Sequence, residues 1–312
     1  MRSYFLLMLF LFSGIVRLTA QSEEEYFIEA QNKYQKGDYA ACITIINKAI
    51  QKNPDVPQYY DLKGDALVKS EKYQDAFDCF SLAIQKFPNY WAPYYSRGQI
   101  LAATMDFDLA IRDFTTAYDL APGEEEKESC LVHKATSLTG KRDFKPAYDI
   151  LIAMYKKDTT NLVALTNLGA ICDEIGKPEE TMFFLLKAIE VDSTFYPALG
   201  NIGYKYQNMG QYEKAIFYYN KILALNPNEP LGYSNRAFNL YKLGRLDEAM
   251  SDINRSIELY PANSYAYRVR GLIWLEKKKK KKACEDFQMA IDGGFTKMYG
   301  DEVEKLMREH CK

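Results

Sequence analysis

Along most of this chain the inward-facing positions recur with a helical spacing, in two runs separated by a short polar break. Tyr60, Lys63, Gly64 and Leu67 fall at i, i+3, i+4 and i+7, and Tyr73, Ala76, Phe80 and Ala83 resume a helical spacing after the break. The pattern predicts a hairpin of two amphipathic helices. It also repeats. Pro54, Pro88 and Pro122 lie 34 residues apart, as do Pro227 and Pro261. Tyr39, Tyr73 and Phe107 keep the same interval, and so do Cys42, Ala76 and Ala110, and Ala49, Ala83 and Ala117. From Phe107 the next equivalent is Phe144, a step of 37, after which Pro178, Tyr212, Leu246 and Lys280 resume steps of 34. One three-residue insertion is implied near the charged stretch from Pro122 to Glu128, where a loop absorbs it at little entropic cost.

Within each copy the small residues have a packing reason. Gly64, Gly98, Gly169, Gly203 and Gly271 occupy one equivalent position and let helix backbones approach while aromatics fill the space beside them. Proline after the second helix has no N–H and restrains the residue before it, so it ends the helix and sets the turn into the next copy.

This arrangement of Gly, Tyr, Ala, aromatic, Ala and Pro at fixed offsets resembles the tetratricopeptide repeat family. Eight copies are counted, starting near residues 23, 57, 91, 125, 162, 196, 230 and 264, so that the array spans 21–297. Copies four and five depart from the pattern: Thr159 and Ser193 stand where proline is expected, and Pro178 replaces the loop aromatic. The resemblance implies an all-α, right-handed superhelical solenoid whose first helices line a concave face.

After the last copy, Gly293 and Gly294 break the helix, and Val303, Leu306, Met307 and His310 mark one face of a final capping helix within 298–312. A cap is expected because an open solenoid end exposes its core. At ~1.5 Å per helical residue, Cys284 and Cys311 stand at similar height on antiparallel neighbours, which predicts a disulfide. A chain ending in this way also resembles exported tetratricopeptide proteins of Bacteroidota. Cys42 and Cys172 fall at packing positions and read as buried thiols.

The amino terminus predicts export. An apolar run from Tyr4 to Val16 follows Arg2, too short to span a bilayer comfortably, and Leu18-Thr19-Ala20 precede the polar Gln21-Ser22. Residues 1–20 therefore read as a signal peptide, with a mature protein in the periplasm or outside the cell, and no later segment has the apolar length of a membrane span. The formal net charge is −2, and loss of Arg2 and Arg17 takes it to −4, which leaves no electrostatic footprint for nucleic acid. The basic block Lys277–Lys282 reads as a solvated helix edge.

Candidate chemistry is sparse. There are two histidines and no phosphate-binding Gly-rich loop. Cys130 and His133 share a helix face, but no second pair with zinc-like spacing accompanies them. His310 and Cys311 are adjacent and diverge on a helix. No catalytic residue, metal site or cofactor is expected, and binding remains. The resemblance places Tyr204, Gln207, Asn208, Ser234, Asn235, Phe238, Tyr241, Arg268, Leu272 and Leu275 on the groove side of copies six to eight. Tyr204, Phe238 and Leu272 form a ladder 34 residues apart that could hold the side chains of an extended peptide, with Asn201, Asn235 and Arg268 holding its backbone or an acid. Equally, the aromatics could fill gaps between neighbouring first helices. The expectation is a non-catalytic protein- or peptide-binding scaffold of the cell envelope; a structural spacer and a glycan binder are the rivals. Nothing in the chain fixes its oligomeric state.

Overall fold

The computed structural model describes residues 21–311; the expected signal peptide over residues 1–20 lies outside them. Among the described residues the regular structure is helical throughout. Helices pair in chain order: α1 (Glu23–Gln35) with α2 (Tyr39–Lys52), α3 (Pro57–Lys69) with α4 (Tyr73–Lys86), and α5 (Ala92–Ala103) with α6 (Phe107–Leu120); α7 (Glu124–Gly140) and α8 (Phe144–Lys157) come next in the chain. There follow α9 (Leu162–Ile171) with α10 (Pro178–Val191), α11 (Tyr196–Asn208) with α12 (Tyr212–Leu225), α13 (Pro230–Lys242) with α14 (Leu246–Leu259), and α15 (Ser264–Glu276) with α16 (Lys280–Asp292). The chain divides into two compact units, one ending at His133 and the other beginning at Lys134, within α7.

Each hairpin closes on one pair of residues 16 apart. A Cβ placed on Gly64 would stand 2.2 Å from the Phe80 ring, and the same construction gives 2.8 Å for Gly98 and Phe114, 2.9 Å for Gly203 and Tyr219, and 2.4 Å for Gly271 and Phe287. Where the first helix has alanine instead, the second has a smaller partner: Ala30 with Ile46, Ala135 with Leu151, Ala237 with Ile253, all buried. The two volumes compensate, as close packing demands. Gly169 with Leu185 is the exception, with Leu185 reaching 2.5 Å from the would-be Cβ.

The turn inside each hairpin is a Schellman closure, seen in Lys72 N–H to Leu67 O, Asp106 N–H to Leu101 O and Arg245 N–H to Leu240 O. It needs one left-handed residue per copy. Gly37, Gly176, Gly210 and Gly244 supply it in four copies, while Glu71, Met105, Arg142 and Lys278 adopt it without the freedom of glycine.

Between hairpins the residue before the proline is extended, Asn53 at φ −140° and Asn226 at φ −135°. Copies four and five reach the same conformation without the proline. Asp158 and Asp192 sit at φ −138° and −139°, and each carboxylate accepts from the backbone N–H and hydroxyl of the threonine two residues on, Thr160 and Thr194. The Asx-turn itself is shared with the proline copies, where Asn53 and Asn226 accept from the N–H of Asp55 and Asn228; what the threonines add is the second bond from the hydroxyl. Pro178 takes the first position of α10, where its missing N–H costs nothing.

A polar clamp, not anticipated from the sequence, joins successive hairpins. Arg97, Arg236 and Arg270 each bind bidentately the aspartate 16 residues later, Asp113, Asp252 and Asp286, at 2.6–2.9 Å. Each guanidinium also reaches a residue 16 positions earlier in the preceding copy: Ser81, Asn220 or Asn254. All three aspartates are buried, so removing either partner of a pair would strand a charge.

The cap differs from the single helix expected over 298–312. It is two short helices, α17 (Phe295–Tyr299) and α18 (Glu302–His310), because Gly300 at φ +88° turns the chain between them and Gly294 at φ +80° starts the first. Phe295 and Val303 are buried against Phe287 and Ala290, with Leu306, Met307 and Cys311 beside them. Cys284 and Cys311 are disulfide-bonded, Cα to Cα 5.7 Å. The other four cysteines are buried free thiols.

Candidate functional site

The expected groove residues separate into three environments within the second unit. Tyr204 and Asn235 line an open pocket of about 410 Å³ between α11 and α13, together with Asn201, Tyr196, Gly200, Glu229, Leu231 and Gly232. Its floor is Tyr219 and Ile222, from α12. Tyr204 is 56% exposed and Leu231 53%, so this wall faces solvent. Glu229 caps α13, accepting the Leu231 N–H at 3.2 Å.

Phe238 and Tyr241 are half-buried against the core formed by Ala237, Leu240 and Ile273. Phe238 packs on Tyr265 of α15, ring centroids 6.3 Å apart, and so helps to fill the space between α13 and α15. The Tyr241 hydroxyl is harder to ionise than usual because of burial, with Glu276 adding to the effect.

Arg268, Leu272 and Leu275 belong to the closed end. The Arg268 guanidinium lies 5.1 Å over the Phe238 ring and pairs with Glu302 of α18 at 2.5 Å. Its charge is met within the chain by Glu302. Leu272 and Leu275 pack in the cluster of Phe295, Val303, Leu306 and Met307, covered by the cap rather than lining an open groove. The sequence could not reveal this, because the cap's packing partners follow no repeat. Of the other expected positions, Asn208 is exposed, Ser234 is buried, and Gln207 Oε1 accepts from the Asn239 amide at 2.8 Å.

The first unit carries a comparable pocket, about 360 Å³, lined by Asp65, Val68, Ser96, Gln99 and Ile100 from α3 and α5. Nearby on α3, Asp61 accepts from the Tyr90 hydroxyl. Burial pushes its carboxyl up to about 7; the Tyr90 bond opposes that rise and the neighbouring Asp65 charge adds to it.

Cys130 and His133 are used structurally. Burial pushes the Cys130 thiol up to about 11, and the His133 ring contacts the Ser129 carbonyl and the Tyr95 hydroxyl at 3.0 and 3.2 Å. Among the described residues no three His, Cys, Asp or Glu side chains are grouped to hold a metal ion, and no helix is long and apolar enough to cross a membrane.

Comparison with known proteins agrees with this geometry. Models of the tetratricopeptide repeat match residues 196–229, 230–263 and 62–125, and a model of anaphase-promoting complex, cyclosome, subunit 3 matches residues 8–82. Serine/threonine-protein phosphatase 5 of Rattus norvegicus is 28% identical over 108 residues, 35% of this chain and 22% of the phosphatase. A DnaJ homolog subfamily C member 7 homolog of Dictyostelium discoideum is 25% identical over 154 residues, 43% of this chain and 29% of that protein. The chain thus spans less than a third of the length of either relative. Among solved structures, a tetratricopeptide repeat protein from Parabacteroides merdae superimposes with a TM-score of 0.54 at 19% identity, covering 92% of this chain and 99% of that one. The Cut9–Hcn1 complex of the APC/C gives 0.63 at 14% identity, covering 93% of this chain and 56% of its own. Hairpins closed by paired small and large residues and turned by Schellman closures, with repeat models matching residues 62–125 and 196–263, place this chain in the tetratricopeptide repeat family.

Proposed function

We propose that the chain is a non-catalytic scaffold that binds an extended segment of another protein on its first-helix face, and that it works in the periplasm or outside the cell. The observation that carries the binding role is the pocket between α11 and α13, where exposed Tyr204 and Leu231 stand beside the amides of Asn201 and Asn235. Aromatic and apolar anchors with a few convergent polar groups are what a peptide-binding surface requires. The relatives are consistent with this, since proteins built from such repeats include subunits of assemblies. The export reading rests on the apolar run Tyr4–Val16 ahead of Ala20, and a disulfide beside four inert buried thiols suits an oxidising compartment.

Two measurements test the proposal. A photo-crosslinking residue at position 231 should capture a defined partner in the native host, whereas the same residue at Phe217, equally exposed but on a second helix, should not. Tyr204→Ala should weaken that partner's binding by roughly tenfold or more without loss of helix content. Equal capture from both positions removes the assignment of the face. Intact mass of the native chain should show a start at Gln21; retention of residues 1–20 defeats the export reading.

A further inference from the structure

The position occupied by Tyr219 is apolar in the other seven copies, for instance Phe80, Phe114 and Phe287. Only in copy six does it carry a hydroxyl. Tyr219 is 1% exposed, yet that hydroxyl has no hydrogen-bond partner in the protein. A buried hydroxyl left unmet is unfavourable, whereas the phenylalanine used elsewhere would satisfy the same packing. The tip of the ring packs against Gly203 of α11, within electrostatic reach of Tyr204 and Tyr265, and Tyr219 forms part of the floor of the α11–α13 pocket.

The pocket above it has the form of a slot. A Cβ on Gly200 would meet nothing closer than Ile222 at 3.9 Å, so the α11 wall leaves room there, whereas Gly232, at the edge of the slot on α13, packs closely on α12, where a Cβ would stand 3.0 Å from Leu223. Tyr204 provides an exposed aromatic edge. Neither lysine nor arginine lines the site, so an anionic group would find no counter-charge there. The one carboxylate, Glu229, already caps α13, which leaves little for a cation beside two helix N-termini. A flat, uncharged group with a hydrogen-bonding tip is what remains.

We infer that this slot seats an aromatic side chain bearing a neutral hydrogen-bonding tip, tyrosine foremost, from the bound segment, and that the Tyr219 hydroxyl is its partner. The inference rests on the peptide-binding reading above and names the side chain that reading leaves open.

Its test needs no partner protein and so fails or succeeds separately from the crosslinking experiment. The mature chain is titrated with p-cresol, toluene and methyl β-glucoside, following ligand and protein resonances by NMR. p-Cresol should bind saturably and more tightly than toluene. Tyr219→Phe should lower p-cresol affinity roughly tenfold, leave toluene unchanged and keep the melting temperature at or above that of the parent. Gly200→Leu should exclude both ring probes. Unaltered p-cresol affinity in Tyr219→Phe, absence of p-cresol binding to the parent, or preferential binding of the glucoside overturns the inference.

Discussion

A carboxylate that water reaches poorly holds its proton longer, and Asp61 is such a group in the first unit. Its folded-state value of about 7 lies above that of the unfolded chain, so the native state binds the proton more tightly. Stability should therefore fall as pH rises from about 4 to 7, and Asp61→Asn should flatten that slope and raise the melting temperature at neutral pH. Thermal melts across this range, parent against variant, check it; an unchanged slope would place the titrating group elsewhere. None of this was visible in the sequence, because Asp61 meets Tyr90, 29 residues away, only once α3 and the loop before α5 are in place.

At the scale of the helical hairpin, the sequence was most informative where a rule repeats. The glycine and aromatic spacing was legible because it recurs at 34-residue intervals. Its alanine and Ile or Leu counterpart needed the structure, which shows the two positions in contact where the first is glycine and both buried where it is alanine. The Arg–Asp clamp was overlooked for a different reason: in copy six the equivalent positions are Ile202 and Tyr218, and in copy two Lys63 and Cys79, so the charge signal is intermittent. Of the groove residues, Tyr204 and Asn235 line the open pocket, whereas Arg268 pairs with the cap and Leu272 and Leu275 pack beneath it. Compensating volumes make a specific prediction. Gly98→Ala should cost about 1–3 kcal/mol by forcing Phe114 aside, and adding Phe114→Leu should recover part of that loss. Chemical denaturation of the two single variants and the double variant measures the coupling; strict additivity would contradict the contact.

For the molecule as a whole, copies stabilise one another only through neighbours, so an end is as sound as what covers it. The Cys284–Cys311 bridge closes 27 residues and ties α18 to α16. Replacing both cysteines by serine should cost about 3.5 kcal/mol in the chain-entropy account, felt mainly in copy eight and the cap. Hydrogen exchange should then rise first in α15, α16 and α18, with the first unit unaffected. Uniform loss of protection across both units would show that the end is not a separate weak point.

The seat taken by α18 has a further consequence. As α15 packs on α14, α18 packs on α16, and Glu302 secures it to Arg268. That seat is where the first helix of another hairpin would dock. Hairpins of one kind stack head to tail, and a heterologous contact that does not close on itself generates open filaments. A bolted, non-repeating cap fills that seat, so the outer face of α16 is spent on α18 and is not offered to the first helix of another hairpin.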